Sequence, residues 1–226
     1  TVQEVAAEMH KIWFKSDQAV MVKQEKFFAW DKGAAIKKPE YEATVRNEPV
    51  SHIRDANIAI DVTIKIRPVD RGEMSFDILG TGDDGIEFEK KGVFLKGGDN
   101  KLTMTSSEKT VNKVKPYDGE IVWEIDMYDS ENDVTTRVLD GASTVNELFV
   151  LWGAPQGAAT TKRVRWAANA ATGAESTNEI ADALWAAVSS STRFGQLGSG
   201  KGSWEMLDGS EGDCDNGARL MAEGFK

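Results

Sequence analysis

Residues 3–14 place Val5, Met9, Ile12 and Trp13 on one face of a helical wheel, with Gln3, Glu4, Glu8 and Lys11 elsewhere. That spacing predicts an amphipathic helix in a leading segment, 1–19, with Trp13 in the packing face. From about residue 20 the period falls to two. Ile58, Ile60, Val62, Ile64 and Ile66 alternate with Ala59, Asp61, Thr63 and Lys65, as on a strand with one face inward. Met74, Phe76 and Ile78 repeat the pattern before the turn Gly80-Thr81-Gly82-Asp83-Asp84-Gly85. Ile86 with Phe88, Val93 with Leu95, and Leu102 with Met104 follow, separated by Lys91-Gly92 and by Gly97-Gly98-Asp99-Asn100. Ile121, Trp123, Ile125 and Met127 form the clearest later strand, and Leu148, Val150 and Trp152 close the series. Short strands between glycine, aspartate and asparagine turns predict an antiparallel β-sandwich over 20–156. Trp123 suits the buried tryptophan of an immunoglobulin-like architecture, although no cysteine pair flanks it.

After Pro155-Gln156-Gly157 the composition turns to alanine and the period becomes helical again. Thr161 caps a helix running to about Thr172, with Val164, Ala167 and Ala168 inward and Gly173 at its end. Ser176-Thr177-Asn178-Glu179 is a capping box for a second helix, 177–190, that holds Ile180, Ala183, Leu184 and Val188. The fold class expected is therefore α+β: a leading helix, a β-sandwich, then a helical segment over 157–226.

Composition narrows what such a chain does. Its 226 residues, 40% of them hydrophobic and seven of them tryptophan, suit a packed core. A net charge of −10 argues against a nucleic-acid partner, which needs clustered Lys and Arg. No apolar run approaches the roughly 20 residues needed to cross a bilayer as a helix, and no membrane partner is expected. A single cysteine excludes an intrachain disulfide, and no signal-like segment is present, so the compartment stays open between cytoplasmic and secreted or injected.

Three constellations invite chemistry. The carboxylates Asp208, Glu211, Asp213 and Asp215 suggest calcium, but counted from Glu211 the glycine falls seventh and position twelve is Ala222, so the EF-hand register fails. Gly195 to Lys201 follows a phosphate-loop pattern for seven positions, then continues with Gly202 where Ser or Thr is required. No metal or cofactor is expected. The third is Cys214, in Gly212-Asp213-Cys214-Asp215, at the start of a stretch where Ala218, Met221, Ala222 and Phe225 recur at helical spacing. A helix N-terminus favours thiolate over thiol, which suits a nucleophile; a lone cysteine equally suits a small buried apolar side chain. The only histidines, His10 and His52, sit in no motif.

The stretch Trp204-Glu205-Met206-Leu207, Gly212-Asp213-Cys214 and Ala218-Arg219-Leu220-Met221-Ala222 resembles the transglutaminase-like superfamily of papain-fold cysteine enzymes. The resemblance covers roughly the last 65 residues, with the two preceding helices in the order that family uses. It implies that Cys214 is the nucleophile of a Cys-His-Asp triad acting on amide bonds of protein or peptide substrates, and that Trp204 lines the cleft. In the family the histidine and aspartate follow the cysteine on later strands, and no histidine stands between Cys214 and Lys226. The expectation is a portion of such an enzyme, bacterial, inactive as this fragment, whose incomplete core a complementary chain can fill. The alternative is a β-sandwich binding or interaction module in which Cys214 is structural.

Overall fold

The computed structural model describes residues 4–15, 21–22, 35–36, 40–42, 46–47, 49–70, 72–117, 119–130, 132–153 and 159–191. The fold is strand-rich α+β, mostly antiparallel and consistent with a β-sandwich. The first strands are β1 (Ala6–Lys15), β2 (Met21–Val22), β3 (Ala35–Ile36), β4 (Glu40–Glu42), β5 (Arg46–Asn47) and β6 (Val50–Ile53). β7 (Asn57–Arg67), β8 (Met74–Gly82), β9 (Glu87–Leu95) and β10 (Gly98–Lys109) follow, with a 3-10 turn at Asp83–Gly85. The remainder comprises β11 (Lys115–Tyr117), β12 (Glu120–Asp129), β13 (Val134–Val145), β14 (Leu148–Leu151), β15 (Ala159–Thr160), α1 (Thr161–Ala170) and α2 (Thr177–Ser191).

Two antiparallel sheets share one core. The first has the order β10-β7-β1-β4-β5 and the second β13-β12-β8-β9. Alternation decides which side chains meet between them: Ile58, Ile60, Val62, Ile64 and Ile66 of β7 face Phe76 and Ile78 of β8 and Trp123 and Ile125 of β12 in a single buried cluster. Among the described residues Trp123 is the largest fully buried side chain. Its ring stacks on Phe88 at 6.2 Å between centroids, and its Nε1 donates to Thr144 Oγ1 at 2.9 Å. Opposite it stands Gly80, where a Cβ would lie 2.5 Å from the indole ring, so the notch that seats the ring exists because residue 80 has no side chain.

The leading helix expected over 3–14 is instead β1, paired with β7 on one side and β4 on the other. The register slips between Met9 and Lys11. This bulge puts Ala7 and Met9, then Ile12 and Phe14, on the core side. The step of three from Met9 to Ile12 imitates helical spacing, although both segments alternate as a strand does. Trp13 is turned to the outer face, half-buried, with Lys101 Nζ 5.8 Å from its ring centroid. Two further features depart from expectation. Lys91-Gly92 lies inside the continuous strand β9, at positive φ for Gly92, and does not separate two strands. Leu148–Leu151 leaves the antiparallel series and pairs in parallel with β6, within a small sheet ordered β11-β14-β6.

α2 forms where its cap places it, whereas α1 runs Thr161–Ala170, with the expected cap Thr161 as its first helical residue. Glu179 N donates to Ser176 Oγ at 3.2 Å, and Glu179 Oε2 accepts from Glu175 N at 2.7 Å, so the capping box closes one residue beyond the cap itself. Ser176→Ala is expected to cost about 1 kcal/mol, read as a lower denaturation midpoint with unchanged m-value.

Candidate functional site

Cys214, Trp204, the glycine-rich loop 195–202 and the carboxylates of 208–215 lie outside the described residues. The structure describes instead the platform on which the preceding helices sit. β14, Leu-Phe-Val-Leu, is buried on both faces, which is why it reads as a continuous apolar run. Leu148 and Val150 enter the two-sheet core, whereas Phe149 enters a second cluster with Val114, Val164, Ala168, Ala171, Ala174, Ile180 and Leu184. The small sheet is therefore a wall shared by two cores.

Polar contacts pin the helices to this wall. Gly173 N donates to Val114 O at 2.8 Å and Val114 N to Ala174 O at 3.1 Å. Arg165 grips Glu147 through Nε and Nη2, each at 2.5 Å, a bidentate pair that keeps the guanidinium strongly protonated. At the end of β6, Arg54 lies 3.6 Å over the Trp152 ring, donates from Nε to Trp152 O at 3.2 Å and from Nη1 to Asn112 Oδ1. On the other edge, Asp84 accepts from Lys115 Nζ and Tyr117 Oη, both at 2.6 Å. These hydrogen bonds, Lys115 first, hold the Asp84 carboxyl below its ordinary pKa.

Of the two histidines, His10 is half-buried at the β1 bulge. His52, in β6, is buried against Phe14 with ring centroids 6.4 Å apart, and its Nε2 has no hydrogen-bond partner. Burial alone lowers its pKa to about 4. An imidazole so weakly basic and so enclosed is not equipped to deprotonate a thiol at neutral pH. Cys214 lies outside the described residues, so neither histidine is placed relative to it. Among the described residues no group of three or more His, Cys, Asp or Glu is arranged to hold a metal ion, and no helix is long and apolar enough to cross a membrane.

The chain matches no family model and no curated protein.

The residue pattern predicts a strand at Leu148, Val150 and Trp152, but as the last of the antiparallel series and not as the middle of a wall. Its signal was present in the unbroken run Leu148–Leu151, since a strand with one wet face alternates and a strand between two cores does not.

Proposed function

We propose that this chain is a portion of a transglutaminase-like cysteine enzyme, preceded by an immunoglobulin-like β-sandwich, with Cys214 as the nucleophile. The observation that supports it most is the order of elements: α1 and α2 are formed and docked on the wall, and the Gly212-Asp213-Cys214 segment follows them in the sequence. The fully buried Trp123 between two antiparallel sheets supports the sandwich. In the proposed chemistry the Cys214 thiolate attacks an amide carbonyl of a protein or peptide and expels an amine, leaving a thioester. Water or a second amine then releases the acyl group. The base and its orienting carboxylate are supplied from outside residues 1–226, and the fragment alone is inactive.

The test is alkylation of Cys214 by iodoacetamide as a function of pH, with Cys214→Ala as the blank. The expected outcome is an apparent thiol pKa well below the roughly 8.5 of a free cysteine. A value at or above it removes the nucleophile. In the parent reading frame, a histidine and then an aspartate after Lys226 are expected, each in a strand-like segment; a stop codon there would contradict the enzyme.

A second reading, a binding module with a structural cysteine, has its own support. Phe94 is 71% exposed on β9, and with Tyr128 it flanks a groove that Met74 and Met127 also line. Large exposed aromatics beside a groove are a feature of interaction surfaces. An unactivated Cys214 would favour this reading.

A further inference from the structure

We propose that His52 is an acid-sensitive latch in the wall: its protonation opens the seam between the wall and the two-sheet body, so that β6, β14 and the helices packed on them swing away while the body stays folded.

The imidazole stands at the seam itself. β6 pairs in parallel with β14, and His52 lies opposite Val150 in that register. Val50, Leu148 and Val150 belong to the two-sheet core, and His52 meets Phe14 of β1, so this face of the wall closes onto the body. The other face carries Phe149 and, through it, the helices. A charge created at His52 therefore appears at the contact between wall and body, not within the helical cluster. Nε2 is buried without a hydrogen-bond partner, so an N–H there has no acceptor inside the closed seam.

The neighbouring charges do not supply it either. Lys15, beyond Phe14 on β1, is paired with Asp61 at 2.8 Å. Glu147, beside β14, is held by Arg165; Asp84 is held at β11 by Lys115 and Tyr117; Arg54 stacks on Trp152. No described charged group contributes to the titration of His52, whose only perturbation is burial. Hydration is then the one remaining source of stabilisation for the charged ring, and hydration requires that the seam open. The latch works in the same way whether or not Cys214 is a nucleophile.

The experiment is hydrogen–deuterium exchange on the whole chain between pH 7 and pH 4.5, corrected for the intrinsic pH dependence of exchange. Amides of 50–53, 148–151, 161–170 and 177–191 should lose protection by on the order of a hundredfold, the effect of one proton bound only in the open state. Those of 58–66 and 121–127 should stay protected. His52→Leu and His52→Gln, which carry no titrating ring, should each abolish the acid effect, and either folded variant suffices for the comparison. Equal loss of protection in the wall and in the body of the wild type would overturn the proposal, as would an unchanged acid effect in a folded variant.

Discussion

Trp123→Ala lowers the unfolding free energy by about 3–5 kcal/mol and the thermal midpoint by roughly 10 °C. The magnitude follows from three losses at one site. The indole is fully buried where the sheets meet, so its removal leaves a cavity that strands β7, β8 and β12 cannot close without breaking register. Its stacking on Phe88 disappears, and Thr144 Oγ1 loses the donor it receives at 2.9 Å. Gly80 makes the site less forgiving: its missing side chain shapes the notch for the ring, and it has no atoms of its own to move into the void. Denaturant titration of wild type and variant with a common m-value checks the figure. A loss under about 1 kcal/mol would mean that the ring is not the centre of the core.

Lowering the pH from 7 to 4 is expected to remove about 3 kcal/mol of stability through His52 alone. Its pKa is about 4 in the folded chain against 6.5 as the reference for the unfolded one. Above pH 6.5 both states hold the ring neutral, and the group has no effect. Between 6.5 and 4 the unfolded state binds a proton that the folded state does not, so stability falls as pH falls; below 4 both are protonated and the loss is complete. His52→Gln flattens this segment of the stability–pH curve, which denaturant titrations at intervals of about half a pH unit would resolve. A variant curve parallel to the wild type across that window would show that other groups carry the acid dependence.

How much of this was legible in the sequence depended on parity. β7 and β12 each keep a regular alternation between a dry core and a wetter side, and both were readable residue by residue. β1 was not, because one bulged residue changed the parity midway and a strand came to resemble a helix. β13 gave no signal at all: as the edge of its sheet it exposes Val134, Thr135, Thr136 and Arg137 in succession, and register shifts against β12 interrupt what alternation remains. The helices were legible through their ends, where Ser176, Glu179 and Gly173 act through local hydrogen bonds and a positive φ. The parallel pairing of β14 with β6 was not, since the two lie far apart along the chain and only the absence of alternation hinted at two buried faces. For Cys214 and Trp204 the position is reversed, because their case rests on motif and order alone.

The double burial of β14 also changes where the protein can be divided. The composition shift at Pro155-Gln156-Gly157 marks a boundary in the sequence, and a dissection guided by it would separate a two-sheet piece from a helical one. Phe149 and Val114 belong to the earlier piece by sequence but are covered by the later one. Cutting there would strip the wall of its cover and leave an apolar face on each product. The seam in the chain and the seam in the packing are different places, and the part that folds by itself is defined by the second.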